Sequence, residues 1–237
     1  MRPEIHVDQA PGLARRLSRL FEEEAARARA RRGRCAIALP GGSVAGIFFP
    51  DLARAQCDWS RTAFFWGDER AVPPADPESN YGLARALWLE PAGVPAPNVH
   101  RMPADDPDLE RAARSYEHVL AGALGTPPRL DLALLGVGPD GHVCSLFPGH
   151  PLLGERERRV AATFDAPKPP PRRLTLTLPT LWDAELVVVA ALGEAKAAVL
   201  REALEDAASA LPMALALRGA RRAVVLMDPP AARLLSR

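Results

Sequence analysis

The sequence predicts an α/β fold, a mostly parallel central sheet flanked by helices, and three observations carry that expectation. Short, nearly all-apolar runs recur at residues 35–39, 62–66, 130–137, 186–192 and 223–227, as strands covered on both faces require. Segments with helical spacing of apolar residues lie between them. Several of the runs end in glycine-rich or charged clusters of the kind that turn a strand into a helix. Strands alternating with helices imply parallel pairing through right-handed crossovers.

In chain order, residues 13–32 read as an amphipathic, arginine-rich helix with Leu13, Leu17, Leu20 and Phe21 on one face. The strand at 35–39 is stopped by Pro40, Gly41 and Gly42, and a helix follows over 44–55. The strand at 62–66 runs into Gly67-Asp68-Glu69-Arg70, and a loop rich in Pro and Asp leads to a helix from Ser79 or Asn80 to about 89. A short strand is expected at 100–102 and a helix at 108–124. The run at 130–137 is the cleanest strand and 186–192 is its twin, followed by a helix over 194–204. A last strand at 223–227 precedes a short terminal helix. The polar, proline-rich stretch 148–171 reads as a long loop or cap near a site. No internal repeat is visible, and residues 1–237 are expected to form one domain.

The bulk numbers narrow the function. A content of 48% apolar and 25% charged residues is that of a globular chain, and a domain of this size buries roughly three quarters of its unfolded surface. With 30 basic and 29 acidic side chains the formal charge is +1. That balance argues against nucleic-acid and membrane partners, which need a positive field, and leaves a small molecule. Cys35, Cys57 and Cys144 are odd in number and widely spaced, which fits a reducing compartment and offers no zinc pattern. The first residues lack the apolar centre of a signal peptide, and the run at 186–192 is far too short to span a bilayer. A cytoplasmic protein is expected. Lys168 and Lys196 are the only lysines, the other 28 basic residues being arginine. A lysine that survives such a bias is a candidate for a specific task.

Ligands of open parallel sheets bind outside the carboxyl ends of the strands, and four polar clusters fall there. Gly41-Gly42-Ser43 leads from strand to helix, where free amides attract phosphate; a plain turn with Ser43 as N-cap accounts for the same residues. It is neither a Walker A loop nor a dinucleotide fingerprint. Asp140-Gly141-His142 places a histidine two residues after a carboxylate on a glycine-rich loop, suited to general-base work near neutral pH. Cys144 and Ser145 are nucleophile candidates by position only, since no G-x-S-x-G elbow surrounds them. Lys196 falls in the first turn of a helix, where a cation is unfavourable unless an anion is bound. Arg172 and Arg173 precede the alternating LTLTL, where an arginine fork can take a phosphate or simply be solvated. The five histidines show no paired spacing for a metal, so no metal is expected.

Taken in order, these clusters resemble the 6-phosphogluconolactonase family, within the larger group that includes glucosamine-6-phosphate deaminase. The matching pieces are Leu39-Pro40-Gly41-Gly42-Ser43, Trp66 to Val72, Glu78-Ser79-Asn80-Tyr81, the long run from Leu134 to Gly149, Pro171 to Thr177, and Gly193-Glu194-Ala195-Lys196. Departures are small: Pro40 before the glycine turn with Val44-Ala45 after it, Pro139 inside the histidine loop, and Leu226-Met227 ahead of Asp228 where a Trp is common. The resemblance implies a NagB/RpiA/CoA transferase-like fold and hydrolysis of 6-phospho-D-glucono-1,5-lactone in the pentose phosphate pathway without a cofactor. It implies that His142 activates water and Asp140 tunes it. It gives Gly41, Gly42, Ser43, Arg173 and Lys196 to the phosphate, Asp68 and Arg70 to the sugar end, and Asn80 to the loop that carries Arg70. A deaminase is the nearest rival, but the glutamate that it carries just before the matched proline is Phe147 here. A non-catalytic sugar-phosphate sensor is the other, and no DNA-binding appendage is visible to support it.

Overall fold

The computed structural model of the protein describes residues 2–236. Its strands are β1 (Glu4–Val7), β2 (Cys35–Leu39), β3 (Thr62–Trp66), β4 (Asp68–Arg70), β5 (Leu132–Gly136), β6 (Val160–Thr163), β7 (Arg173–Leu176), β8 (Val187–Ala191) and β9 (Ala223–Met227). Its helices are α1 (Ala10–Arg32), α2 (Gly42–Leu52), α3 (Asn80–Ala84), α4 (Leu109–Leu124), α5 (Leu178–Asp183), α6 (Ala197–Glu205), α7 (Pro212–Gly219) and α8 (Pro229–Ala232). Six strands form one sheet in the order β1-β9-β8-β5-β2-β3, and every pairing in it is parallel. All residues of β2, β3 and β8 are buried, which accounts for their unbroken apolar sequences. Among the described residues, no helix is long and apolar enough to cross a membrane.

Helix α1 buries Leu13, Leu17, Leu20, Phe21, Ala25 and Ala28 along one stripe, the spacing of three and four that a single packed face needs. It starts three residues earlier than its apolar stripe suggests, because Pro11 is tolerated in a first turn whose amides have no helical partner. Gly33 ends it at φ +79°, a conformation that costs a side chain and suits glycine. Arg29, Arg31 and Arg32 fill the last turn, where cations complement the helix dipole.

Three features differ from the sequence expectations. Strand β1 went unread because only four residues, one of them half-buried and the rest exposed, hold the sheet edge against β9. Residues 148–171 are not one loop. They contain a 3-10 turn at Pro151–Gly154 and strand β6, which pairs antiparallel with β7 as part of a second sheet, β4-β7-β6. Strands of three or four residues are stabilised by their partners, and no local pattern reveals them. Residues 100–102 form no strand. Val99 makes a single bridge to Phe64 and His100 N–H donates to the Phe64 carbonyl at 2.8 Å, and Pro103 brings no amide with which to extend a ladder.

The chain reverses its direction of sheet growth between β2 and β5, with β3 on one side and β8, β9 and β1 on the other. A crevice opens at such a switch point, above the carboxyl ends of the strands. The wall beside β3 is closed by Tyr116 of α4. Its buried hydroxyl accepts from Trp66 N–H at 3.1 Å and donates to the His100 carbonyl at 2.8 Å. Tyr116→Phe keeps the shape but strands a buried amide, at a cost of about 1–3 kcal/mol. For a chain of this size that lowers Tm by about 2–4 °C per kcal/mol. A thermal melt unchanged by the substitution would contradict this account of the sheet edge.

Candidate active site

The loop after β5 is built around Gly138. Gly138 N–H donates to the His142 carbonyl at 2.9 Å and Gly141 N–H to the Gly138 carbonyl at 3.0 Å, closing a tight turn. A Cβ on Gly138 would lie 2.0 Å from His142 Nδ1 and 2.3 Å from Asp140 Oδ1. Only glycine lets that pair fold over the backbone. His142 Nδ1 then donates to Asp140 Oδ1 at 2.5 Å, which leaves Nε2 with the lone pair. Burial of His142 favours the neutral ring and outweighs the hydrogen bond and charge of Asp140, with Lys168 adding to the downward push, so its pKa falls below the ordinary value. Burial works to raise Asp140, but the His142 hydrogen bond and charge, with Lys168, hold it below the usual range. The pair is therefore a neutral imidazole on an ionised carboxylate. The ring rests on Phe147, 4.8 Å between centroids.

Strand β4 supplies the opposite wall. Asp68 is 7% exposed. Its Oδ2 accepts from Ser145 Oγ at 2.6 Å and its Oδ1 from Asn80 Nδ2 at 3.1 Å. Asn80 Nδ2 also reaches the Asp68 carbonyl at 2.9 Å. Ser145 is fully buried and committed to Asp68, which removes it as a nucleophile. Burial, reinforced by the charge of Asp68, pushes the Cys144 thiol well above its usual value, so no thiolate is available there. Arg70 Nη1 donates to the Glu78 carbonyl at 2.8 Å. That carbonyl restrains the Arg70 side chain, while Asn80 ties down the strand that carries it through Asp68.

The start of α2 is open. Gly41 is its N-cap and offers no side chain to the first-turn amides. Ser43 lies inside the helix, so the plain N-cap reading of Ser43 does not hold. The place of a Gly41 Cβ is filled by Asn80 Oδ1, 1.7 Å from where that atom would be. Gly42 has φ +64°. After β8, Gly193 N–H donates to the Asp228 carboxylate at 2.9 Å, and Lys196 ends a 3-10 turn as the residue before α6. Burial and then the like charge of Lys168 lower the Lys196 pKa. Arg173, almost fully buried, donates through Nε to the Pro170 carbonyl at 2.9 Å. Its Nη2 donates to the carbonyls of Lys168 at 2.9 Å and Pro169 at 3.2 Å. Only its Nη1 remains, 3.9 Å from Asp68 Oδ2.

Gly41, Gly42, Ser43, Asp68, Arg70, His142, Arg173 and Lys196, all singled out in the sequence, line one cleft of about 210 Å3. Asp140 stands behind His142. Two residues with large roles in the geometry were given no role in the sequence. Lys168 also lines the cleft, and the lysine scarcity was the signal that could have found it. Glu69 was quoted without a role. It is buried, and its two oxygens accept from Arg70 N–H (2.9 Å), Asn80 N–H (2.8 Å), Tyr81 N–H (2.7 Å) and Ser79 Oγ (3.1 Å). Burial raises its pKa against the pull of those amides. Among the described residues, no group of three or more His, Cys, Asp or Glu is placed to hold a metal ion.

A parallel sheet with a neutral histidine, four cations and an uncapped helix start at its switch point defines an α/β enzyme for a small anionic substrate. Residues 8–225 match the family described as glucosamine-6-phosphate isomerases/6-phosphogluconolactonase. The chain is 47% identical to the 6-phosphogluconolactonase of Rattus norvegicus, over 86% of this chain and 82% of the relative. It is 40% identical to that of Streptomyces coelicolor, over 89% and 85%. The solved structure of the 6-phosphogluconolactonase from Trypanosoma brucei superposes with a TM-score of 0.87 at 30% identity, covering 99% of each chain. The chain belongs to the glucosamine-6-phosphate isomerase/6-phosphogluconolactonase family.

Glu69→Gln tests the wall that carries Asp68 and Arg70. An amide can accept with only one of its two ends, so the donors facing the other are left unpaired. Stability is expected to fall by about 1–3 kcal/mol, read as a lower urea midpoint with an unchanged m-value. An unchanged midpoint would mean that Glu69 is not the tie between β4 and α3.

Proposed function

We propose that the chain hydrolyses 6-phospho-D-glucono-1,5-lactone to 6-phospho-D-gluconate. The observation that carries this reading is the neutral His142 held on Asp140 at the edge of a cationic cleft, in a chain whose relatives bear that activity in their names. His142 Nε2 takes a proton from water as the oxygen adds to the lactone carbonyl at C1. Asp140 steadies the imidazolium so formed. The tetrahedral adduct then collapses with cleavage of the C1–O5 bond, and the imidazolium returns the proton to O5, leaving a carboxylic acid that ionises and a free hydroxyl.

Lys196 and the amides of Gly41, Gly42 and Ser43 hold the 6-phosphate in this reading, with Arg173 contributing Nη1. Asp68 and Arg70 hold the sugar end, the carboxylate accepting from hydroxyls. Binding energy gathered at the phosphate, away from the bond that breaks, positions the carbonyl over the base.

General-base catalysis by one side chain is worth about 10² to 10⁴ in rate. His142→Ala is expected to lower kcat by a factor in that range, measured against spontaneous lactone opening. The base must be neutral, and the His142 pKa lies below the ordinary 6.5. Wild-type kcat/KM is therefore flat above that pH and falls on the acid side with a midpoint below it. A midpoint above 6.5, or a variant that keeps most of its kcat, would remove His142 from this role.

The deaminase reading needs an acid–base group where Phe147 stands. Phe147 is buried between the His142 ring and the Arg173 guanidinium, 5.8 Å from the latter, and cannot move a proton. Incubation with glucosamine 6-phosphate is expected to release no ammonia. Release at a rate near that of lactone opening would transfer the chain to the deaminase branch.

A further inference from the structure

Lys168 sits on a proline-locked strap, Ala166-Pro167-Lys168-Pro169-Pro170-Pro171. The strap is not loosely attached. Three of its carbonyls are held by the fork of Arg173, itself buried on β7. Prolines on either side restrict the backbone of Lys168. The stem is thereby fixed while the side chain, 43% exposed, keeps its freedom. Its ammonium lies 3.6 Å from Asp140 Oδ1, the same oxygen that accepts from His142 Nδ1. Two cationic or hydrogen-bonding groups therefore compete for one carboxylate oxygen. The second lysine of the chain, Lys196, lines the same cleft, and among the described residues Asp140 is the only acid within ion-pair distance of either lysine.

We propose that Lys168 is a specificity-determining residue for the phosphorylated substrate: it rests on Asp140 in the free enzyme and moves to the substrate phosphate on binding, leaving Asp140 to His142 alone. The inference rests on the lactonase reading and deepens it. In a 1,5-lactone the 6-phosphate branches from C5, which joins C1 through the ring oxygen. Phosphate and reacting carbonyl are thus close enough for one flexible ammonium to serve the first while resting beside the base of the second. A dianion is also the partner that two neighbouring lysines lack. Arg173 acts on this through the strap, as a positioning residue.

The charged and titratable groups facing His142 are Asp140 on its own loop, Lys168 on the strap and Asp68 on β4. The two carboxylates favour the imidazolium; burial opposes it most, and the Lys168 charge adds to burial. Loss of the Lys168 charge therefore raises the His142 pKa in the free enzyme.

The test compares wild type with Lys168→Met and Lys168→Arg on 6-phosphogluconolactone and on unphosphorylated gluconolactone, with binding of inorganic phosphate measured by calorimetry. For Lys168→Met, KM for the phosphorylated lactone is expected to rise about tenfold, as loss of a charge-assisted hydrogen bond implies. Phosphate binding weakens in parallel, the loss on the unphosphorylated lactone is clearly smaller than that on the phosphorylated one, and the acid limb of kcat/KM moves to higher pH. Lys168→Arg keeps the limb in place and recovers part of the affinity. Equal losses on both lactones, a loss confined to kcat, or undiminished phosphate binding would each overturn the proposal. Failure of the lactonase reading itself shows separately, as absence of wild-type turnover on the phosphorylated lactone.

Discussion

The carboxylate of Glu69 is removed from water between β4 and the first turn of α3, and it answers that loss by accepting four hydrogen bonds. Burying an ionisable group without such partners costs several kcal/mol, so the position is stable only when all four donors converge on it. Their convergence sets the start of α3, and from there the rest of one wall follows. Asn80 is brought over Asp68, whose carbonyl and carboxylate it binds through one amide nitrogen. Its oxygen fills the space that a Gly41 side chain would take. The open end of α2 is thus held against β4 by a residue that belongs to neither.

The second organising constraint is electrostatic. The chain as a whole is close to neutral, yet Arg70, Lys168, Arg173 and Lys196 gather in one cleft against two carboxylates, Asp68 and Asp140. Elsewhere arginines are paired with acids, as Arg32 is with Asp131 and Arg159 with Asp183. An excess of cations at one place costs self-repulsion and yields a field that draws an anion. The same field, acting through Lys168 and added to burial, keeps His142 neutral. In the proposed function, anion capture and readiness of the base therefore both draw on Lys168, beside the larger effect of burial on the ring.

Much of the large sheet was legible in the sequence, because strands buried on both faces must be apolar throughout. The runs that became β2, β3, β5, β8 and β9 carry that mark. The small sheet was not legible. VAAT and DER have no distinguishing pattern, RLTL alternates but is only four residues long, and the three form a sheet because β7 lies between the other two. In the site, the glycine-flanked Asp140 and His142 stood out through their place at a strand end. Glu69 did not, because a carboxylate that binds backbone amides from eleven and twelve residues away leaves no short-range trace. Lys168 was hidden for a related reason. Its stretch reads as a proline-rich loop, and what makes it part of the cleft is the grip of Arg173 on its carbonyls, a tertiary fact.

The register of the small sheet shows why it exists. In the β4–β7 pair Asp68 faces Thr175, Glu69 faces Leu174 and Arg70 faces Arg173. Side chains alternate between the faces of a strand, so Asp68, Arg70, Arg173 and Thr175 share the cleft side while Glu69 turns to the other and meets the start of α3. Thr175 in turn accepts from Ser145 N–H at 3.1 Å, which aims the Ser145 hydroxyl at Asp68. A slip of one residue would exchange the two faces and put Glu69 in the cleft with its four donors unmet. The pairing also sets two arginines directly opposite each other, an arrangement that disfavours a sheet when nothing lies between them. Thr163 of β6, the next strand, lies opposite Arg173 in turn, so the cost is confined to one cross-strand pair at the cleft. Like charges tolerated at that point, in a chain that pairs many of its other arginines with acids, are what the proposed phosphate site would require.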